Sequence, residues 1–118
     1  MSKTILLVED DSAIVESTQC VLEFAGFQVK TAPDGYAMKK HINGTVPDLI
    51  LIDYWLPKKN GGEIIKELRE DSKTKHVPVL VISASHNIKE IIQEAGADGF
   101  LEKPFNMDDL ISTVGKYL

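Results

Sequence analysis

The sequence holds a single cysteine, Cys20, so no internal disulfide can form, and a lone thiol fits a reducing compartment. Cys20 lies in a helical stretch with no histidine at helical spacing, which makes it a packed or half-exposed thiol rather than a ligand. Long apolar runs are missing as well. Leu49–Ile52 and Val77–Ile82 are among the longest, and both are far too short to span a bilayer. Ile5–Val8 is cut off at once by Glu9-Asp10-Asp11, so it is no signal-peptide core. Basic runs never exceed a pair and the net charge is −5. Direct binding to nucleic acid needs a positive footprint that this chain does not have. Histidines are few and scattered; His41, His76 and His86 stand in different segments and do not build a metal site. Repeats, low-complexity tracts and linkers are missing too. These absences imply a cytoplasmic chain that touches neither membrane nor nucleic acid directly.

What is present is globular in character. The chain has 118 residues, 43% apolar and 26% charged, which fits one domain over 1–118 with one ordinary core. Strand-like and helix-like segments alternate five times, the pattern of a parallel α/β sheet. The strands are expected at Thr4–Val8, Phe27–Thr31, Asp48–Asp53, Val79–Ser83 and Gly99–Glu102. The first helix should run from about Ser12 to Ala25 and stop at Gly26; the second should begin near Asp34 and end at Asn43-Gly44. Asn60 with Glu63 resembles a capping box ahead of Ile64, Ile65 and Leu68. Ile88, Ile91, Ile92 and Ala95 form the apolar stripe of a fourth helix, and Leu110, Ile111, Val114 and Leu118 that of a fifth, capped by Asn106.

Strand composition orders the sheet. Ile5–Val8, Leu49–Ile52 and Val79–Ile82 are continuous apolar runs, as in strands covered on both faces. Phe27-Gln28-Val29-Lys30 alternates and Gly99–Glu102 is short, so both read as edges. With right-handed crossovers, the order 2-1-3-4-5 is a natural though not unique solution. That gives a flavodoxin-like, doubly wound (βα)5 fold, whose ligands bind at the carboxyl ends of the strands.

Those ends carry polar groups: Glu9, Asp10 and Asp11 after the first strand, Asp53 closing the third, Ser83 closing the fourth, Lys103 after the fifth. A site for a nucleotide or flavin phosphate would place a Gly-rich or hydroxyl-rich turn after the first strand. Three carboxylates stand there instead, facing Asp53. They would repel one another unless a hard divalent cation with oxygen ligands, such as Mg²⁺, lay between them. Each residue alone has a plainer reading, as a helix cap, a turn residue or a surface lysine. Their coincidence at adjacent strand ends points to phosphoryl transfer onto a carboxylate.

Four stretches resemble response-regulator receiver domains: Ile5–Asp11, Pro47–Pro57 with Gly61, Val81–Ala84, and Ala95–Phe105. The resemblance runs the length of the chain. It implies that Asp53 accepts a phosphoryl group from a sensor histidine kinase or phosphotransfer protein. It further implies that Asp10 binds Mg²⁺ (or Mn²⁺) directly and Glu9 through water, with the backbone carbonyl of Trp55 as a further ligand. Ser83 and Lys103 would contact the phosphoryl oxygens, Phe100 would be the aromatic switch residue, and Lys103-Pro104 would be a cis peptide. Asp11 is expected to cap the first helix. A downstream protein or a second copy would read the face made by helix 4, strand 5 and helix 5. The chain departs from the family's commoner residues at Ser83 (threonine), Phe100 (tyrosine) and Trp55, which is large for its place. Trp55 is expected at the mouth of the site, covering the phosphoryl group. The alternatives are a receiver-like interaction module that is never phosphorylated and a haloacid-dehalogenase-type phosphatase. The latter is disfavoured because Trp55 stands where its acid/base Asp would be.

Overall fold

A computed structural model of the chain describes residues 2–84, 87 and 89–118. Five parallel strands, β1 (Thr4–Val8), β2 (Gln28–Ala32), β3 (Leu49–Asp53), β4 (Val79–Ser83) and β5 (Gly99–Glu102), form one sheet in the order β2-β1-β3-β4-β5. The helices are α1 (Ser12–Phe24), α2 (Gly35–Gly44), α3 (Gly61–Glu70), α4 (Lys89–Ala95) and α5 (Met107–Gly115). The doubly wound α/β fold and the strand order expected from composition are those observed.

Burial follows the composition of the strands. Every residue of β3 and β4 is buried, whereas β2 alternates along its length. Because successive side chains leave a strand on opposite faces, the sheet divides the core in two. Leu6, Val8, Ile50, Ile52, Val79 and Val81 pack with α2, α3 and α4 residues on one side. Ile5, Leu7, Leu49, Leu51, Leu80 and Ile82 pack with Leu22, Leu110 and Val114 on the other.

Local signals set the helix ends. Asp11 caps α1 by accepting from the Ala13 and Ile14 amides at 3.0 and 3.2 Å. At its far end Gly26, at φ 102°, lets the Gly26 N–H reach the Glu23 carbonyl and the Phe27 N–H reach that of Leu22, a Schellman closure. That closure draws Phe27 into the helix terminus, and β2 therefore starts one residue later than the sequence pattern implied. Asn60 accepts from the Glu63 amide and Asn106 from the Asp109 amide, as expected of both caps.

Two expectations need correction. Ile91 is 52% exposed; the buried stripe of α4 is carried by Ile92 and Ala95. Cys20 is exposed, not packed, because α1 turns Thr18 and Leu22 inward. Ile88 and His86 lie outside the described residues. Among the described residues, no helix is long and apolar enough to cross a membrane.

Candidate functional site

Strand register brings four strand ends to one edge of the sheet. Val8 lies opposite Ile52, Asp53 opposite Ile82, and Ser83 opposite Glu102. One step further along, the Glu9 amide bonds the Ala32 carbonyl at 3.0 Å, and the Lys103 amide bonds the Ser83 carbonyl at 2.8 Å. Glu9, Asp53, Ser83 and Lys103 are therefore placed by backbone hydrogen bonds before any side chain interacts. The Lys103–Pro104 peptide is cis.

The three consecutive acids after β1 have three different fates. Asp11 is spent on the α1 cap. Asp10 is exposed. Glu9 is buried, only 3% exposed, with Oε1 accepting from the Asp11 amide at 3.1 Å. Among the described residues its other oxygen, Oε2, is buried with no hydrogen-bond partner, and the cation beside it is the Lys103 Nζ, 3.7 Å away. The same Nζ lies 3.8 Å from Oδ1 of Asp53, which is itself buried.

Carboxylate oxygens of Glu9, Asp10 and Asp53 lie within 4.8 Å of one another, the one such acidic or metal-ligating cluster among the described residues. Burial pushes the Glu9 carboxyl up to about 7; the Asp11 amide and Lys103 oppose this, and the charges of Asp53 and Asp10 add to it. Asp53 is raised too, first by burial, with Lys103 and the Trp55 backbone pulling it back. One ammonium between two buried carboxylates undercompensates them. The oxygen-only donor set and the orphaned Glu9 oxygen fit a hard divalent cation, which takes carboxylates and keeps waters.

Ser83 is fully buried at the end of β4. It shares a strand face with Val81, which lies opposite Phe100 on β5. Phe100 is half-buried against the α2–α3–α4 side of the core and lines a cavity of about 220 Å³ with Lys89, Ile92 and Gln93 of α4. Trp55 is 61% exposed, and its ring meets the buried Tyr54 ring edge-on at 4.8 Å between centroids.

The structure thus brings Glu9, Asp10, Asp53 and Lys103 together, and puts Ser83 and Phe100 on one face of the β4–β5 pair. Sequence reasoning did not separate Glu9 from Asp10 by burial. Nor did it find the Arg69 clamp at the opposite end of the sheet. There the guanidinium of α3 bonds the Gly96 and Val77 carbonyls at 2.9 and 2.7 Å and the Asp98 carboxylate at 2.6 Å. Asp98 also accepts from the Val79 amide. These partners are up to 29 residues apart in sequence, and no local pattern announces them.

A family model described as the response regulator receiver domain matches residues 5–115. The transcriptional regulator RpaA of Synechocystis sp., whose name describes it as DNA-binding, is 38% identical over 112 residues, covering 93% of this chain and 46% of that protein. The chain spans about half the length of the curated relatives it matches. Among solved structures, the chemotaxis response regulator CheY4 of Vibrio cholerae superposes with a TM-score of 0.94 at 30% identity, covering 100% of both chains. The receiver domain of the sensor histidine kinase PA1611 from Pseudomonas aeruginosa, solved with a magnesium ion coordinated in its active-site cleft, gives 0.91 at 26% identity, covering 99% of this chain and 98% of that one.

Proposed function

The chain belongs to the response regulator receiver domain family, and from that premise we propose that it acts over 1–118 as a single phosphorylatable switch whose acceptor is Asp53. The observation that carries this reading is the convergence of three carboxylates within 4.8 Å and the Lys103 ammonium within 3.8 Å of Asp53.

Glu9, Asp10, Asp53 and the Trp55 carbonyl would hold Mg²⁺ or Mn²⁺. When bound, the ion supplies positive charge to the equatorial oxygens of the transferring group. The magnesium in the PA1611 receiver cleft supports this assignment. An Asp53 carboxylate oxygen attacks phosphorus, an O–P bond forms, and the P–N bond to the imidazole of a sensor histidine kinase or phosphotransfer protein breaks. The imidazole leaves and is reprotonated. Lys103 balances the charge on the acceptor, and the Ser83 hydroxyl donates to a phosphoryl oxygen.

The acyl phosphate carries about −2 where the Asp53 carboxylate carried −1, so the strand ends gain roughly one negative charge and three acceptor oxygens. Ser83 turns toward the new oxygens, and Phe100, on the same face, moves into the space Ser83 leaves. The cavity beside it lets α4 adjust. Lys89 and Gln93 of α4, which line that cavity with Phe100, flank β5 on the α4–β5–α5 face that a downstream protein or a second copy reads.

Phosphate incorporation from a histidine kinase or a small phosphodonor tests the proposal. Wild type should be labelled only with Mg²⁺ or Mn²⁺ present, and Asp53→Asn should not be labelled, because an amide is a very poor nucleophile. Stoichiometric labelling of the Asn variant would overturn the acceptor assignment. A wild type that never labels would favour the interaction-module alternative.

A further inference from the structure

On the same edge of the sheet but outside the acidic cluster, the β3–α3 loop and the first turn of α2 enclose a second concavity. It has a volume of about 270 Å³ and is lined by Gly35, Tyr36, Lys39, Pro57, Lys58 and Lys59, with Ile64 and Glu67 of α3 behind them. Its floor is apolar: Ile64 is buried, and a Cβ built on Gly35 would lie 3.0 Å from the Ile64 Cδ1. The Tyr36 ring is 67% exposed.

The rim is cationic on a chain whose net charge is −5. Lys39 and Lys59 share a single carboxylate, that of Glu67, and together hold its pKa below the usual range. The other acid of the pocket, Asp34, is committed to the α2 cap through the Ala37 amide at 2.8 Å. Lys40 stands over the Tyr36 ring, 4.6 Å from its centroid. Lys58 takes φ 71°, in a three-residue turn closed by the Lys59 amide and the Pro57 carbonyl at 2.8 Å. That turn sets two consecutive lysines on one rim. Three lysines thus line the pocket against two carboxylates; Lys39 and Lys59 divide Glu67 between them, Asp34 caps α2, and Lys58 adds a further ammonium to the rim.

We propose that this pocket is a docking site for an acidic peptide segment of a partner protein, one that seats an apolar side chain on the Gly35–Ile64 floor and its carboxylates against Lys39, Lys58 and Lys59. An apolar floor under a charged rim is the arrangement in which the anchor gives affinity and the rim gives orientation and association rate. A compact inorganic anion would use the rim and leave the floor exposed, so the combination selects a peptide. The site is separate from the Asp53 cluster and does not depend on phosphorylation.

The test is selection of a random peptide display library on the full chain, with isotope-edited NMR of the winners. Selected peptides should be rich in Asp and Glu around a Leu or Phe. Their amide perturbations should centre on Gly35, Tyr36, Lys39, Lys58 and Lys59. Lys58→Glu should weaken binding roughly tenfold, and Gly35→Ala, which crowds the floor, should weaken it without altering the salt dependence. Both variants should be labelled at Asp53 like wild type. Winners without acidic bias, perturbations centred elsewhere, or full binding by Lys58→Glu would each overturn the proposal. So would failure to select any peptide, or binding of the acidic residues alone with the apolar anchor replaced by Ser.

Discussion

Replacing Glu9 by Gln isolates the cost of the buried acid. In the metal-free domain Glu9 has its carboxyl raised from 4.5 to about 7, so the folded state holds a proton that the unfolded chain releases. Below pH 4.5 both states are protonated and there is no penalty. Between pH 4.5 and 7 stability falls as pH rises, and above pH 7 the full penalty applies. At about 1.4 kcal/mol per pH unit, the shift corresponds to roughly 3 kcal/mol. Gln keeps the Oε1 that accepts from the Asp11 amide and removes the charge. At pH 8 with chelator, Glu9→Gln should therefore be more stable than wild type by up to about 3 kcal/mol, or roughly 10 °C in Tm for a domain of this size. Near pH 4.5 the two should coincide. Thermal and urea melts followed by circular dichroism at pH 4.5, 6 and 8 measure this directly, and millimolar Mg²⁺ should shrink the difference by stabilising wild type more. A variant no more stable than wild type at pH 8, or a gain that does not vary with pH, would refute the argument.

Three further outcomes are expected. Phe100→Ala should leave Asp53 labelling intact while abolishing the phosphorylation-dependent chemical-shift changes on the α4–β5–α5 face, as read with beryllofluoride; unchanged responses would contradict its switch role. Trp55, the only tryptophan, should change its fluorescence on Mg²⁺ binding or phosphorylation, and Trp55→Ala should shorten the phosphorylated lifetime if the indole screens the site. Equal or slower decay would leave it with only the edge-on contact to Tyr54. Arg69→Ala should destabilise the domain by about 2–4 kcal/mol, since it strips donors from the Gly96 and Val77 carbonyls and the charge from Asp98; a loss under about 1 kcal/mol in urea denaturation would show the clamp to be dispensable.

The fold was legible wherever composition reflects a local environment. The unbroken apolar runs of β1, β3 and β4 announced burial on both faces, and the alternation in β2 announced an edge. Caps at Asp11, Asn60 and Asn106 were legible because capping is a contact between residues two or three apart. The strand-end acids were legible as a group but not as individuals. Beyond the cap at Asp11, nothing in Glu9-Asp10-Asp11 says that the first is buried and the second exposed, since that depends on where α1 begins relative to the sheet. The exposure of Ile91 escaped for a related reason: periodicity gives the direction of a stripe but not how far the neighbouring layer extends over it. Arg69 with Asp98, and Glu67 with Lys39, join segments that meet only after the sheet has formed.

The division of the core by the sheet has an evolutionary consequence. Neighbouring residues of one strand serve different halves: Ile50 and Ile52 belong with α2–α4, Leu49 and Leu51 with α1 and α5. A substitution on one side is repacked by neighbours on that side, and the backbone between them hardly has to move. Core changes in the two halves should therefore combine nearly additively, as for sites that share no partners. Such a chain has two separate histories open to it. The α1–α5 layer can drift to suit one set of partners while the α4 layer drifts to suit another, and the acidic edge where the strands end is inherited unchanged by both.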